Sequence, residues 1–209
     1  MEIDHVLFAV DDLPAAAEEI EARHGLSSIE GGRHPGWGTA NRIVPLGDAY
    51  LELVTVVDQT EAAHSPFGSW VASVAGTLAG PFGWAVRTHH LDDVADRLGL
   101  SVSRGSRLDR SGKRLRWQSA GIEQAALEPP LPFFIEWQAG TPLPGSARRA
   151  DALGALAIAS LRLTGDSDRL NDWLGRHSMP ISVRRGGPAV TGITLAGPAG
   201  EIVLGDAPR

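Results

Sequence analysis

Cysteine is absent from this sequence of 209 residues. Its absence excludes disulfide bonds, thiolate metal ligands and a cysteine nucleophile, so histidine and carboxylate side chains are the remaining candidate metal ligands. Long hydrophobic runs are also lacking, since no stretch of about 18 uninterrupted apolar residues occurs. The N-terminal segment MEIDHVLFAVDDL is acidic where a secretory signal would be basic. The sequence therefore predicts a cytoplasmic protein with no membrane partner.

Positive charge is scarce relative to negative charge. The 19 lysine and arginine residues against 25 aspartate and glutamate residues give a formal net charge of −6. This balance argues against a nucleic-acid partner. The two basic clusters, SRGSRLDRSGKRLR and SVRRGG, fall in turn-rich segments and are predicted to be solvated hairpins. A hydrophobic fraction of 43% is enough to bury a core.

The same order of strand, helix and three further strands recurs along the chain. Capping and turn signals predict helices over residues 14–24, 91–98 and 168–176. The predicted segments are a βαβββ module at 1–57, a helical insertion at 58–79, a second βαβββ module at 80–138, a linker at 139–152 and a shortened third βαβββ-like module at 153–209. In the second module, LRWQSAG and AAL are predicted to form a hairpin.

This repetition predicts an α+β fold. Tandem βαβββ modules would form curved mixed sheets around a concave cavity, and the shorter third repeat would accompany them. The pairing of the modules stays open, because either the first two close one cavity or the third pairs with one of them.

Alternation along the strands predicts which side chains face the cavity. In YLELV, Tyr50 and Glu52 share one face, and in FFIEW the same rule pairs Phe134 with Glu136. His5 lies in an otherwise apolar opening strand. Because a charged group in an apolar strand is costly unless it is paired or metal-bound, these residues are candidates for a site.

Residues 31–42, GGRHPGWGTANR, combine backbone freedom with polar and aromatic side chains. Glycine permits positive φ and close approach, so this segment is predicted to form the rim of a pocket. The alternative is a wide turn in which Trp37 covers a hydrophobic seam. The candidate substrate-binding residues are His34, Trp37, Thr39, Asn41, Tyr50, Trp117 and Phe134.

The segments IDHVLFAVDDLPAAAEEIEARHGL, GGRHPGWGTANRIVPLGDAYLELV and FFIEW resemble the glyoxalase-like branch of the vicinal oxygen chelate superfamily. The resemblance covers residues 1–138 well and the third repeat loosely. It implies paired βαβββ modules around a metal, with ligands from the first-strand histidine and the last-strand glutamate of each module.

By position, the resemblance implies that His5, Glu52 and Glu136 are metal ligands. The fourth position falls on Gly83 or Trp84, neither of which binds a metal. One imidazole and two carboxylates would suit a divalent ion, with zinc, manganese, iron and nickel all left open.

Three functions follow as hypotheses. In the first, a metal-dependent lyase or isomerase, or a dioxygenase-like enzyme, polarises a carbonyl and stabilises an enediolate-like intermediate, with Glu136 or Glu52 as the base. In the second, a metal-free protein of the bleomycin-resistance type sequesters a small molecule by stacking. In the third, the sheet edge of the third repeat forms a homodimer.

Each candidate ligand also has a structural interpretation. His5 would then be a core histidine bonded to backbone. Glu52 and Glu136 would pair with arginines of neighbouring strands, for which the candidates are Arg42, Arg114 and Arg116.

Overall fold

The first module begins with a strand and a capped helix, as the sequence predicts. A computed structural model describes residues 1–74, 80–109 and 111–206. The elements of this module are β1 (Glu2–Ala9), α1 (Leu13–His24), β2 (Ile29–His34), β3 (Thr39–Pro45) and β4 (Tyr50–Val56). Helix α1 starts where the Asp12 carboxylate accepts a hydrogen bond from the Ala15 amide, and it ends at Gly25, which has φ 69°.

Two helices and the second module follow. The helices are α2 (Gln59–Ala63) and α3 (Pro66–Ser73). The second module contains β5 (Gly83–Arg87), α4 (Leu91–Leu98), β6 (Val102–Leu108), β7 (Arg114–Ala120), α5 (Ile122–Leu127) and β8 (Phe133–Trp137). Positions 75–79 of the predicted insertion lie outside the described residues.

Helix α5 corrects the predicted hairpin of LRWQSAG with AAL. Gly121 takes the left-handed conformation, with φ 87°, and turns the chain out of β7. Ile122 and Ala125 are then buried at a spacing of three residues, which is the spacing of one helix face. The partner of β7 is therefore β6 on one side and β8 on the other.

The third repeat has the predicted order of elements but its own pairing. It contains β9 (Ala157–Thr164), α6 (Ser167–Leu174), β10 (Ile181–Arg184), β11 (Ala189–Gly197) and β12 (Gly200–Gly205). Its four strands follow the order β10-β9-β11-β12. In the first two modules the opening strand instead pairs in parallel with the closing strand.

The first two modules share one eight-stranded mixed sheet. Its order is β2-β3-β4-β1-β5-β8-β7-β6, and β1 joins β5 in antiparallel pairing at the centre. The order outward from the centre is the same in both halves. This curved sheet with its second, smaller sheet confirms the predicted α+β fold class, and it shows that the first two modules pair with each other.

The two outer strands of the large sheet approach each other and nearly close it into a barrel. Arg107 on β6 donates a hydrogen bond to the Gly31 carbonyl on β2. A Cβ atom on Gly32 would lie 2.4 Å from the Leu108 carbonyl oxygen, so glycine is required at this close approach. The nearly closed sheet has a distinct interior and exterior.

Two apolar clusters lie on opposite faces of this sheet. The outer cluster joins the sheet to α1, α4, α6 and the second sheet, through residues such as Ile20, Val94 and Trp173. The three predicted helices therefore pack on the convex side. The inner cluster contains Leu7 and Phe67. Within the described part of the chain, no helix is both long and apolar enough to span a membrane.

Candidate functional site

Five polar side chains are buried in the interior of the eight-stranded sheet. We call this group, which consists of Asp4, His5, His34, Asn41 and Glu52, the inner polar cluster. Each is at most 5% exposed. Burying ionisable groups is costly unless they are paired, so the contacts within this cluster decide what it can do.

An irregularity in β1 brings Asp4 and His5 together. The pairing register of β1 with β5 shifts between Ile3 and His5, and such a bulge redirects side chains. His5 Nδ1 lies 2.7 Å from Asp4 Oδ1. An ionised carboxylate only accepts hydrogen bonds, so Nδ1 is the donor of this contact when Asp4 is ionised, and Nε2 is directed to Glu52.

Asp4 is itself held by two further donors. The Trp137 indole donates to Asp4 Oδ2 at 2.9 Å, and Arg87 Nη1 lies 3.4 Å from the same oxygen. These contacts balance the charge of the buried carboxylate. They also fix the orientation of the His5 ring through Asp4.

The Glu52 carboxylate is the centre of the cluster. Asn41 Nδ2 donates to its Oε1 at 2.6 Å. His5 Nε2 lies 3.4 Å from Oε2, and His34 Nε2 lies 3.9 Å from Oε1. Asn41 Oδ1 is buried with no hydrogen-bond partner within the described residues. The cluster thus leaves one acceptor unused.

His34 is a neutral member of this cluster. Its Nδ1 lies 2.8 Å from the Thr39 hydroxyl. Burial lowers the pKa of His34 to about 4, although the Glu52 charge opposes the shift, and the Arg107 charge adds to it. His34 is therefore uncharged at neutral pH.

Tyr50 forms part of the same wall. Its ring stacks on His5, with centroids 4.7 Å apart and an interplanar angle of 23°. Burial raises the pKa of Tyr50 well above its ordinary value, and the charges of Asp4 and Glu52 raise it further. The phenol consequently remains a hydrogen-bond donor at any physiological pH.

Aromatic and aliphatic side chains complete the interior wall. They are Trp37, Phe67, Trp117, Phe133, Ile135 and Trp137. The space that remains has a volume of ≈ 20 Å³, which accommodates about one water molecule. The interior is therefore closed to larger molecules in this conformation.

An open groove of ≈ 660 Å³ adjoins this cavity. The indoles of Trp117 and Trp137 line both spaces. Arg104 and Arg116 give the groove a basic character, and Glu136 also lines it. The groove and the cavity are thus neighbouring compartments that share a wall.

Glu136 and Phe134 do not line the cavity, so the predicted convergence of Glu136 with His5 and Glu52, and the predicted binding role of Phe134 in this cavity, are wrong. Glu136 Oε2 accepts a hydrogen bond from the Leu91 amide at the start of α4. Phe134 packs against Trp173 of α6, with ring centroids 5.8 Å apart. The other six predicted binding residues lie in the cavity wall or, in the case of Thr39, bond to His34 in that wall.

The alternative pairing of these glutamates with arginines is also not observed. Arg42 donates to Ser28, and Arg114 donates to Ser106. Glu52 is bonded by Asn41 instead. Since Asp4 and Glu52 flank His5 on either side, His5 is also more than a core histidine bonded to backbone.

The residues present do not fit the metal site that the resemblance implies. Glu136 faces the other side of the sheet, and Ile135 takes the cavity-facing place in β8. The space above Gly83 is filled by the Trp70 indole, because a Cβ atom there would lie 2.4 Å from Trp70 Cη2. Within the described residues, no group of three or more histidine or carboxylate side chains is arranged to hold a metal.

The sequence interpretation missed Asp4, Arg107 and Phe133. Strict alternation along β1 would place Asp4 and His5 on opposite faces of the strand. The irregularity in β1 brings both into the cluster, so the alternation pattern did not reveal Asp4. Arg107 belongs to a basic cluster that was expected to be solvated, yet it is 3% exposed. Gly105 is a sequence signal for the interior face of β6. It pairs with Trp117 and leaves room for the indole, and Arg107, two residues further on, lies on the same face of the strand.

Residues 35–38 form a turn, here called the Trp37 turn, and its Trp37 side chain lines the cavity. Glu61 of α2 accepts hydrogen bonds from the amides of Gly36, at 2.7 Å, and Gly38, at 3.0 Å. Trp37 packs on Phe67 of α3 with centroids 5.1 Å apart. The Glu61 carboxylate therefore holds the turn against α2, and the contact of Trp37 with Phe67 holds it against α3.

Comparisons with known proteins agree with this architecture. The sequence profile of the family described as glyoxalase-like domain matches residues 3–177. A hypothetical protein from Staphylococcus aureus has the same fold, with 13% identity and a TM-score of 0.66, over 93% of this chain and 90% of that protein. No curated protein matches the chain significantly.

Two methylmalonyl-CoA epimerase structures match a smaller part of this chain. A variant from Streptomyces coelicolor, in complex with 2-nitronate-propionyl-CoA, is 21% identical over 68% of this chain and 97% of that protein, with a TM-score of 0.47. The enzyme from Mycobacterium tuberculosis is 19% identical over 65% and 85% of the two chains, with a TM-score of 0.44.

Proposed function

Because this chain belongs to the glyoxalase-like domain family, we propose that it binds a small carbonyl compound inside the eight-stranded sheet and moves a proton on it without a metal. The observation that carries this proposal is the buried contact series Asp4, His5 and Glu52. Ionisable groups held in this way in a buried cavity are typical of functional sites.

His5 is the proposed base. In the neutral tautomer in which Nδ1 donates to Asp4, the lone pair is on Nε2, at the cavity wall beside Glu52. Nε2 would take a proton from a carbon next to the carbonyl; the electron pair of that C–H bond would form a C=C bond, and the carbonyl π pair would move to oxygen, which gives an enolate. Return of the proton to the same carbon gives exchange or epimerisation. For a 2-hydroxy carbonyl compound, return of the proton to the former carbonyl carbon, with transfer of the hydroxyl proton to the enolate oxygen, completes an isomerisation through an enediolate-like intermediate. Asp4 and Glu52 would stabilise the imidazolium between these steps.

Tyr50 supports the same proposal. Its hydroxyl remains protonated, because burial raises the pKa of the phenol, and its ring lies against His5. A hydroxyl in that place would donate a hydrogen bond to the developing oxyanion. Tyr50 would thereby perform the role that a cation performs in the metal-dependent hypothesis.

Access to the cavity requires movement of its wall. The present volume of ≈ 20 Å³ is below that of any carbonyl compound. The neighbouring groove of ≈ 660 Å³ would hold the remainder of a longer ligand. Release of the Trp37 turn or displacement of the shared indoles would join the two spaces.

Deuterium incorporation from D₂O tests the proposed chemistry. Hydroxyacetone and pyruvate serve as probes, and proton NMR follows exchange at the carbon next to the carbonyl. We expect the wild-type protein to accelerate exchange, and His5→Asn to lose about 100-fold or more of that rate. His5→Asn keeps an amide donor for Asp4 but removes Nε2. His24→Gln, at the end of α1, is the control.

Two outcomes contradict the proposal. No acceleration by the wild-type protein with either probe would exclude this chemistry for small carbonyl compounds. Equal rates for wild type and His5→Asn would exclude His5 as the base. Binding of a probe without exchange would instead favour a sequestering protein, which the aromatic wall also suits.

A further inference from the structure

Arg107 is a buried cation that forms no ion pair within the described residues. Its side chain lines the inner cavity, and the residue is 3% exposed. Among the residues that the structure describes, its one hydrogen bond goes to the Gly31 carbonyl, and it forms no ion pair. Burying a guanidinium without a paired carboxylate lowers the stability of the fold. Such a cost is typical of a residue that serves binding rather than folding.

Glu52, the carboxylate of the same cavity, is already engaged. Asn41 donates to one of its oxygens, and His5 lies beside the other. Asp4 is engaged as well, by Arg87 and Trp137. The negative charges of the inner polar cluster are thus satisfied without Arg107.

The bond from Arg107 to Gly31 uses one part of the guanidinium. Nη1 donates to that carbonyl, and no described residue accepts from Nη2 or Nε. A guanidinium has five donors in a fixed planar fork that matches a carboxylate. The side chain therefore retains donors for an anion in the cavity.

We propose that Arg107 determines substrate class by binding a carboxylate of the ligand, so that the interior selects anionic over neutral carbonyl compounds. This inference rests on the proposed function and names the substrate class for the same site. The proposed chemistry requires a C–H bond next to a carbonyl, and Arg107 requires an anion. A small 2-oxo acid has both, because its carbonyl activates the neighbouring C–H bond and its carboxylate binds the guanidinium. Asn41 Oδ1, buried without a partner, would accept a hydrogen bond from a hydroxyl of the ligand.

An isosteric pair of probes tests the charge requirement. Pyruvate and pyruvamide differ by replacement of a carboxylate oxygen with an amide nitrogen, and binding is measured by isothermal titration calorimetry. We expect the wild-type protein to bind pyruvate at least 10-fold more tightly than pyruvamide. Arg107→Met should reduce this preference to within twofold, since methionine keeps apolar length without the charge.

The matched control is Arg114→Met. Arg114 lies on β7, the strand that pairs with β6, and it is exposed. It lines neither the cavity nor the groove, so the preference for pyruvate should be unchanged. Arg107→Lys keeps the charge without the fork and should retain part of the preference. Arg107→Lys also provides the test of the charge requirement if Arg107→Met fails to fold.

The outcomes separate this inference from the proposed function. Equal binding of the two probes by wild type, no binding of pyruvate, or an unchanged preference in both Arg107 variants would overturn the role of Arg107. Exchange that depends on His5 in the same protein would then leave the proton chemistry standing. Conversely, a preference that depends on Arg107 without any exchange would retain the anion site and refute the chemistry.

Discussion

Asn41 donates a hydrogen bond of 2.6 Å to Glu52, across the pairing of β3 with β4. The bond links the glycine-rich segment to the strand that carries the carboxylate. The bond offsets part of the desolvation cost of the buried Glu52 carboxylate, and it orients Glu52 towards His5.

Asn41→Asp should therefore destabilise the protein in a pH-dependent way. At pH 8 two carboxylates would face each other, and the free energy of unfolding should fall by about 3 kcal/mol. At pH 5 a proton shared between them restores a hydrogen bond, so part of the loss is recovered. Urea unfolding at the two pH values measures the difference. A loss that is equal at both pH values would show that charge repulsion is not its cause.

Protonation of His34 should destabilise the protein in acid. Its pKa is about 4 in the folded protein, mainly through burial, against an ordinary value of 6.5. Because the unfolded chain binds the proton first, stability is full above pH 6.5 and is lost as the pH falls from 6.5 towards 4. The loss is about 3 kcal/mol.

His34→Asn removes this titration while leaving an amide near Thr39. Its unfolding free energy should depend less on pH between 6.5 and 4 than that of wild type, as chemical denaturation at several pH values would show. Parallel pH profiles for the two proteins would mean that His34 does not carry the acid sensitivity.

The latch formed by Glu61 should control opening of the Trp37 turn. Glu61→Gln loses the charge-assisted part of two hydrogen bonds, to the amides of Gly36 and Gly38. Hydrogen exchange at these two amides should accelerate about 10-fold, equivalent to about 1.4 kcal/mol. Exchange in β4 should be unchanged. The exposed Glu18→Gln is the control, and unaltered exchange at Gly36 and Gly38 would argue against a latch.

Trp70 and Gly83 should be energetically coupled. A Cβ atom on Gly83 would overlap the Trp70 indole, so Gly83→Ala should cost about 1–3 kcal/mol through overpacking. In a Trp70→Leu background the same change should cost much less, which gives a coupling energy of about 1–2 kcal/mol. Gly187→Ala, where the added methyl meets open space, is the control. If the changes in free energy of unfolding caused by Gly83→Ala and Trp70→Leu are additive, the Trp70 indole does not fill the space above Gly83.

Much of the fold was predictable because its signals are local. The start signal at Asp12, the basic residues Arg23 and His24 in the last turn, and the glycine at position 25 identified α1. Alternation in β4 placed Tyr50 and Glu52 on one face, and the structure has both in the cavity. With His5 and the glycine-rich segment, this accounts for most of the site found in the first module.

The site in the second module was decided by tertiary structure. Strand β8 is apolar on both faces, since Phe133 and Phe134 are both buried, so alternation could not reveal which face is interior. The pairing of β8 with β5 and β7 assigns Ile135 to the cavity and Glu136 to α4.

The sequence by itself determined the order of the elements apart from α5, the approximate helix ends and the face of β4 that carries Glu52, because these depend on neighbouring residues. Only the tertiary structure decided the burial of Arg107, which follows from the approach of β6 to β2, and the filling of the space above Gly83 by the Trp70 indole. It likewise decided the pairing of the third repeat. Each of these brings together residues far apart in the chain, and local propensity carries no information about such contacts.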